Sequence, residues 1–534
     1  MSFLSLHFLF FLPVSCFLYF LVPRKVRWMV LLGASGVFYL SNSVPLSIFL
    51  LFTAITTFWT GKRLGQIRKE TDAFLKDWKE GKVHPQETKK EYRAKQDRKK
   101  RRQVLLAAGA NIGVLCVLKY TGFLFSSLNQ AMEALGLAGS LPGVSFLLPL
   151  GISFYTLQSV GYVIDVYRGR CEADTNFAKY LLFVSFFPQI VQGPISRYDQ
   201  LAHQLYEGHS FDYHRVSMGA QLILWGYLKK LVITERLSMI TDPIFQEYLN
   251  YSGITMLLGA ALYGFQVYID FSGGMDITRG IAQMLGIDMT ENFARPYFAR
   301  SLAEFWRRWH ITLGAWMRDY VFYPISLSAA FSRLGKRTRK WFGTQTGKMI
   351  PTFLAMFITF LLVGIWHGAE WKYVAYGLWN AAIISSSILL EPFYKRMAEK
   401  LHIRTEGAGW KLFQMIRTFF LVSLGRFFSG AVSLESALTM MKSAFTVWNP
   451  EIFTDGTLLS FGLGRKDYLL LMILTLFIFT VGIYQERGGR VRETMSKQKL
   501  PLRWAFYLGA ILILVLFGHY GPGYSAAEFV YQQF

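Results

Sequence analysis

Two apolar stretches decide the fold class, residues 469–483, LLLMILTLFIFTVGI, and residues 505–517, AFYLGAILILVLF. Neither stretch contains a charged residue. Their apolar residues are continuous rather than confined to every third or fourth position, so a helix formed by either stretch is apolar on all sides. Similar runs occur at residues 9–21, 48–59 and 104–118. The pattern predicts helices that cross a membrane.

The composition supports this prediction, because 52% of the 534 residues are hydrophobic and only 17% are charged. A soluble domain usually carries about 25% charged residues. The net charge is +23, but the basic residues lie mainly in short connections beside apolar segments, as cytoplasmic loops do. We interpret this charge as a topology signal and as contact with anionic membrane lipids. Because no nucleic-acid-binding module is recognisable, we expect no nucleic-acid partner.

The chain is therefore predicted to be an all-α polytopic membrane protein with roughly eleven to thirteen membrane helices. Residues 1–534 are assigned to a single membrane domain. Within it, residues 62–102 hold sixteen Lys or Arg against seven acidic residues, which predicts a basic cytoplasmic loop, helical in part. Residues 144–391 are the predicted catalytic core, and residues 404–534 are predicted to form C-terminal helices.

Two of the nine histidines lie among aromatic residues within otherwise unusual intramembrane sequence. His310 is in residues 304–313, EFWRRWHITL, and His367 is in residues 364–371, GIWHGAEW. A neutral imidazole is suited to taking a proton from a hydroxyl group that attacks an acyl carbonyl. The glycines that flank His367 would allow a substrate or another helix to approach closely.

Structural interpretations of the same residues remain open, and composition alone favours them. A Trp-His pair at the end of a membrane span is commonly an interfacial anchor, and Gly-x-x-x-Gly spacing is commonly a helix-packing device. Hydropathy places His367 near the outer end of its span, so a broken or tilted helix would be needed to bring it deeper. A metal site at His310 and His367 is not expected, because no neighbouring Cys or carboxylate pattern completes a ligand set.

The block at residues 304–313, continued by WMRDY at residues 316–320, resembles the signature of the membrane-bound O-acyltransferase (MBOAT) family, and so does GIWHG at residues 364–368. Further matching pieces occur in order at residues 149–155 (PLGISFY), 187–189 (FPQ), 193–195 (GPI) and 268–273 (YIDFSG). The resemblance is to the bacterial AlgI-like branch, which acts in alginate and polysaccharide O-acetylation. DltB of teichoic-acid D-alanylation is a near relative.

The resemblance implies a ring of tilted helices around a thin central cavity with a cytoplasmic funnel. It implies that His367 is the catalytic histidine and His310 the second recurring one. Residues 270–319, which are rich in Gly, Asp, Arg, Trp and His, would then line the central cavity. Candidate contacts for a phosphate-bearing acyl donor are Arg307, Arg308, Arg318, Asp319 and Trp366. An intramembrane Arg-Asp pair is at least as often structural, so the charged members of this set have a second interpretation.

The implied reaction is transfer of an acyl group, expected to be acetyl from acetyl-CoA, across the membrane towards hydroxyls of an extracellular polysaccharide. No permanently bound cofactor is expected. The resemblance also implies an extracytoplasmic acetyltransferase partner of the SGNH type (AlgJ- or AlgX-like), and a location in the bacterial cytoplasmic membrane with multiple spans. Two alternatives remain, D-alanyl transfer to teichoic acid from a carrier protein, and non-enzymatic transport of a polysaccharide or lipid.

Overall fold

The computed structural model describes residues 1–83, 87–137, 139–520 and 529. Residues 84–86 of the predicted basic loop, and residues 521–528 and 530–534 of the predicted C-terminal region, lie outside the described residues. Within the described ranges every named element is a helix, and the one extended pairing is an isolated antiparallel bridge between Phe293 and Trp309. The all-α prediction is confirmed.

The chain divides into two compact units. The first unit comprises residues 1–217 and 281–290, and the second comprises residues 218–280 and 291–534. Among its described residues the first unit contains eight complete helices, which are α1 (Leu6–Leu21), α2 (Arg27–Leu40), α3 (Ser47–Lys79), α4 (Lys89–Ala134), α5 (Ile152–Arg168), α6 (Phe177–Ser185), α7 (Phe187–Gln192) and α8 (Tyr198–Tyr206).

The basic stretch at residues 62–102 is mostly helical rather than a loop. Helix α3 runs to Lys79, and α4 begins at Lys89 after a capping box in which Thr88 accepts from the backbone of Glu91 while the Glu91 carboxylate accepts from the backbone of Thr88. The capping box satisfies two backbone N–H groups that a helix start otherwise leaves without partners. The charges therefore sit on the ends of two long helices.

The motif at residues 149–155 has a structural role in the first unit. Gly151 precedes α5 with a φ of 71° in the left-handed region. A Cβ atom there would lie 2.2 Å from the carbonyl oxygen of Ile190 in α7, so only glycine fits at this turn. Helix α7 carries Pro188, whose missing N–H suits the first turn of a helix. Residues 177–195 are consequently two short helices instead of one span.

The second unit contains the remaining helices of the described residues and two π-helical turns. The helices are α9 (Tyr213–Tyr227, whose first turn belongs to the first unit), α10 (Glu235–Gln246), α11 (Ile254–Met284, whose end belongs to the first unit), α12 (Leu302–Arg308), α13 (Ile311–Met317), α14 (Tyr323–Ser326), α15 (Ala329–His367), α16 (Trp371–Lys400), α17 (Ala408–Gly430), α18 (Leu434–Thr446), α19 (Arg465–Glu486), α20 (Val491–Ser496) and α21 (Leu500–Phe517). The π-helical turns are Leu228–Thr234 and Arg318–Phe322.

Six of the described helices are long and apolar enough to cross a membrane by length and composition, and they are α4, α11, α15, α16, α19 and α21. Helix α1 is apolar but shorter. The predicted count of eleven to thirteen also included apolar windows whose helices are shorter or interrupted. Residues 216–234, for example, change from α-helix to a π-helical turn at Leu228. The polytopic membrane fold class is supported by these helices.

Helix α15 begins earlier than its apolar window at residues 349–367. It starts at Ala329 and includes the basic residues 333–348, with a break at Gly343, whose φ is 76°. Glycine tolerates this left-handed geometry without a steric penalty. The basic segment before the window is therefore helical, but Gly343 separates it from the helix that carries His367. The two segments fold back on each other, since Oγ1 of Thr338 donates to the carbonyl oxygen of Gly347 at 2.6 Å.

Candidate active site

His367 is the last residue of α15 and is 7% exposed. Helix α16 starts at Trp371, so the chain turns back within three residues. A Cβ atom on Gly364 would lie 2.5 Å from the Cα atom of Gly377, and one on Gly368 would lie 2.2 Å from the ring of Tyr373. Residues of α16 thus fill the space beside both glycines that flank His367. Of the two possibilities left open by the sequence, close approach of another helix is the one that the structure shows.

His310 lies between α12 and α13 and has no exposed surface. Its backbone is in the left-handed region, with a φ of 46°, a conformation that is uncommon for a residue other than glycine. Asn292 holds this conformation from three sides. Its carbonyl oxygen accepts from Ile311 N at 3.1 Å, its side-chain Oδ1 accepts from Thr312 N at 2.9 Å, and its Nδ2 lies 3.3 Å from His310 Nδ1.

The indole of Trp366 connects the two histidines. Its ring centroid lies 5.9 Å from that of His310 and 5.2 Å from that of His367. Phe271 packs edge-on against His310 at 4.9 Å, and Tyr376 packs edge-on against His367 at 5.9 Å. We call these five residues the histidine cluster. The structure therefore brings the two predicted histidines and the predicted Trp366 together, although they come from separate motifs.

A buried cation lies beside the histidine cluster. Arg426 of α17 is 4% exposed, and its guanidinium carbon lies 4.8 Å from the ring centroid of Trp309 and 6.0 Å from that of Tyr376. A guanidinium over an aromatic face is attracted by the ring quadrupole, more strongly where water is excluded. Neither Arg426 nor Tyr376 carries a sequence signal for this position, because each comes from a helix outside the two motifs.

The predicted donor contacts are distributed over several environments. Arg308 is held by two carboxylates, with Nη2 at 2.8 Å from Oε1 of Glu304 and Nη1 at 2.6 Å from Oε1 of Glu486. The Arg318 side chain is 55% exposed, and its Nε donates to Oδ1 of the buried Asp319 at 2.9 Å. Arg307 is exposed. Of the predicted donor contacts, Trp366 is the one that belongs to the histidine cluster.

A second group of buried charges lies on α11 and the π-helical turn Leu228–Thr234. Nζ of Lys230 lies 2.9 Å from carboxylate oxygens of both Glu235 and Asp270, and these three side chains are at most 2% exposed. Nζ of Lys229 lies 2.7 Å from Oδ2 of Asp276. Pairing of this kind is what permits charges to be buried among apolar helices. Neither lysine was predicted from sequence to be a site residue.

Residues 270–276 contain two adjacent glycines, Gly273 and Gly274, yet α11 continues through them as one helix. The glycine at position 273 serves helix packing. A Cβ atom on Gly226 would lie 2.5 Å from the carbonyl oxygen of Gly273, so the two backbones approach closely. Asp270 is adjacent in the chain to Phe271, and α11 thereby links the buried charges to the histidine cluster.

No group of three or more His, Cys, Asp or Glu residues placed to hold a metal ion occurs in the part of the chain that the structure describes. His310 and His367 both contact the indole of Trp366. The chemistry available in the histidine cluster is therefore that of imidazole in an apolar, aromatic surrounding, with a buried guanidinium nearby.

Comparison with known proteins decides the family. The protein named "Probable alginate O-acetylase AlgI" of Pseudomonas aeruginosa is 32% identical over 450 residues, which cover 84% of this chain and 75% of that protein. The family model described as MBOAT, membrane-bound O-acyltransferase family, matches residues 172–431. The chain belongs to the membrane-bound O-acyltransferase family. The matched residues include the whole histidine cluster.

Two further relatives give the range of reactions named within this part of the MBOAT family. The peptidoglycan O-acetyltransferase of Helicobacter pylori is 29% identical, over 64% of this chain and 64% of that protein. The teichoic acid D-alanyltransferase of Bacillus subtilis is 28% identical, over 46% of this chain and 60% of that protein. This MBOAT is accordingly an acyltransferase and a membrane protein, which favours the enzyme prediction over the transporter alternative.

Proposed function

We propose that this MBOAT transfers an acetyl group from cytoplasmic acetyl-CoA towards hydroxyls of an extracellular polysaccharide, with His367 as the general base. The observation that carries the proposal is the burial of His367 within the histidine cluster, against Trp366 and beside the second histidine motif. The names of the O-acetylating relatives support acetyl as the acyl group.

The proposed reaction is a direct transfer from the thioester to the acceptor hydroxyl, without a covalent enzyme intermediate. The acceptor hydroxyl gives its proton to the His367 imidazole while its oxygen bonds to the thioester carbonyl carbon. The C–S bond then breaks, and the leaving thiolate takes the proton from the His367 imidazolium, which gives the CoA thiol and restores the neutral imidazole. His367 is the last residue of α15, where the negative end of the helix macrodipole stabilises the positive charge that the imidazole acquires.

His310 has a positioning role in this proposal. It is completely buried, its backbone is held by Asn292, and its ring contacts Trp366 rather than an open surface. Such a group is suited to fixing the indole wall against which His367 and the acyl group lie. Ordering a reacting group within a fraction of an ångström is a substantial part of catalytic acceleration.

The donor and partners follow from the same proposal. Arg307 and Arg318 have exposed side chains and can reach the phosphates of a CoA molecule, whereas Arg308 is held by Glu304 and Glu486. No permanently bound cofactor is required. We place the enzyme in a bacterial cytoplasmic membrane, with an extracytoplasmic SGNH-type acetyltransferase completing transfer to the polysaccharide.

Replacement of His367 tests the assignment. The purified protein in proteoliposomes would be given acetyl-CoA labelled in the acetyl group, and release of CoA and labelling of an acceptor on the other side would be followed. His367→Ala is expected to reduce transfer by at least roughly a hundredfold, the lower range for loss of a general base. His7→Ala, in α1 of the first unit, is the matched control. Full activity of the properly folded His367→Ala protein would refute the proposal.

D-alanyl transfer is the second candidate, because a teichoic acid D-alanyltransferase is among the relatives. Its donor would be a D-alanyl thioester on a carrier protein. The same proteoliposomes can be supplied with either donor. Turnover of the carrier thioester that depends on His367, without turnover of acetyl-CoA, would replace the acetyl proposal with the D-alanyl one while keeping the site.

A further inference from the structure

The second unit contains a cavity of about 630 Å³ that does not include the two histidines. This volume is in the range of small-molecule sites. The cavity is lined by residues of α9, the π-helical turn Leu228–Thr234, α11, residues 291–298, α19, α20 and α21. Most of its wall is apolar, and the last two spans, α19 and α21, contribute Ile473, Phe477, Ile478, Ala510 and Ile513 to it.

Charged residues are collected on the remaining part of the wall. The cations among the lining residues are Lys229, Arg279, Arg295 and Arg492, and the anions are Asp276 and Glu291. Two of the cations are paired within this set, Lys229 with Asp276 at 2.7 Å and Arg279 with Glu291 at 3.0 Å. Arg295 is paired with Glu486, a residue of α19 that does not line the cavity, so the excess of positive charge at this wall amounts to one cation.

Arg279 and Arg492 both line this wall, and the carboxylates of Asp276, Glu291 and Glu493 interact electrostatically with Arg492 as well. Burial lowers the pKa of the Arg492 guanidinium, and the neighbouring Arg279 lowers it further. Two guanidinium groups in this relation favour an anion with several acceptor oxygens, which can accept hydrogen bonds from both. Arg492 lies on α20, in the basic connection at residues 487–503 between α19 and α21, which we predict to be cytoplasmic.

The apolar part of the cavity lies among helices that are themselves suited to face lipid. Ala510 is the one buried residue of α21, and only 11% of the most apolar part of α19 is buried within the protein. Gly509 lines the cavity from α21, and a Cβ atom at this position would meet no heavy atom within 4 Å. An apolar chain can therefore lie along α21 without displacing a protein side chain.

We propose that this cavity is a binding site for one anionic phospholipid of the cytoplasmic leaflet. The phosphate would bind Arg279 and Arg492, and an acyl chain would lie against α19 and α21. Basic pockets between membrane helices on the cytoplasmic side are suited to anionic head groups, and the apolar wall accommodates the chain. This site is separate from the acyl-transfer proposal and does not depend on it.

The head-group contacts are tested by native mass spectrometry of the full-length protein released from detergent, with phosphatidylglycerol as probe and phosphatidylcholine as the zwitterionic reference. The double variant Arg279→Ala/Arg492→Ala is expected to bind phosphatidylglycerol roughly thirtyfold more weakly, since each basic residue near a membrane surface contributes about a factor of five. Arg490→Ala is the matched control, because Arg490 lies in the same basic connection but pairs with Glu493 and does not line the cavity.

The chain-binding part is tested by a variant that fills the cavity. Gly509→Phe is expected to remove the bound phosphatidylglycerol, and its control is Gly109→Phe on α4, where a Cβ atom likewise meets no heavy atom within 4 Å. Unchanged phosphatidylglycerol binding in Gly509→Phe would overturn the proposal even if the double arginine variant failed to fold.

A competition experiment with CoA distinguishes lipid binding from binding of the acyl donor, because the donor also carries phosphates. Asn292 and Met275 line the cavity, and Asn292 contacts His310, so access of a donor through this space must be tested. CoA added at concentrations that saturate turnover should leave phosphatidylglycerol bound. Stoichiometric displacement by CoA would overturn the lipid assignment and give the cavity to the donor, whereas retained lipid together with loss in both cavity variants would support it.

Discussion

The regions that carry His367 and His310 contain the same functional residue type but are built in different ways. His367 ends the helix that follows the break at Gly343, and this helix packs on α16 through Gly364 and Gly377, with the two backbones in close contact. His310 lies in a short irregular connection with a left-handed backbone, and hydrogen bonds to Asn292 hold it. The first position is set by helix packing and the second by polar contacts.

Because of this difference, different kinds of substitution are expected to displace each histidine. Close-packed helices have little free volume, so an added methyl group at their contact must displace a backbone. A connection held by a side-chain amide tolerates changes in volume better but depends on the individual acceptor atoms. Both histidines contact Trp366. A substitution in either region can therefore displace the same indole, through a shift of packed helices in one case and through a lost hydrogen bond in the other.

The largest expected effect comes from breaking the helix contact. In Gly364→Val a side chain would have to occupy space 2.5 Å from Cα of Gly377 and from the carbonyl oxygen of Tyr373. We expect destabilisation of about 3 kcal/mol or more and loss of acyl transfer, measured as the thermal midpoint in detergent and as CoA release. Gly109→Val, on the exposed face of α4, should leave both quantities unchanged. A stable and active Gly364→Val protein would show that α15 and α16 do not need this contact.

An intermediate effect is expected from Asn292→Ala. Loss of the amide leaves the buried backbone N–H of Thr312 without its side-chain acceptor, which costs about 1–3 kcal/mol. It also removes the contact to Nδ1 of His310, so we expect transfer to fall by roughly tenfold to a hundredfold.

Asn292→Asp separates stability from positioning in the same experiment. The carboxylate keeps an acceptor for Thr312, but beside His310 it favours the protonated imidazole. The variant is expected to be as stable as the wild type, while the acid side of its pH–rate profile moves to higher pH. An unchanged profile in an otherwise stable Asn292→Asp protein would indicate that Asn292 supports the backbone alone.

Much of this arrangement could be predicted from sequence because it depends on local signals. Continuous apolar runs predicted the all-helical membrane fold, and the two aromatic motifs identified His310, His367 and Trp366. The partners Asn292 and Arg426 could not be assigned in this way. Asn292 lies in the polar stretch at residues 270–319 but has no motif of its own, and Arg426 reaches its position only through the packing of α17.

Charge and glycine signals were the least reliable locally. The basic stretch at residues 62–102 was predicted to be a loop that is helical in part, and helices extend through most of its described residues because Lys and Arg have high helix propensity. The glycine at position 273 permits close helix packing. Lys, Arg and Gly each occur in loops and in helices, so their structural use depends on neighbours that the local sequence does not show.

The smallest expected effect distinguishes two adjacent arginines in the His310 motif. Arg308→Gln loses its partly exposed ion pairs with Glu304 and Glu486, which should lower stability by about 1 kcal/mol or less without changing KM for acetyl-CoA. Arg307→Gln should leave stability unchanged but raise KM a few-fold with kcat constant, because an exposed cation that binds donor phosphates contributes equally to ground-state and transition-state binding. Steady-state kinetics and thermal midpoints of both variants provide the measurement. If KM rises in Arg308→Gln and not in Arg307→Gln, the donor lies on the Glu486 side of the motif, and Arg308 exchanges its carboxylate partners for donor phosphates.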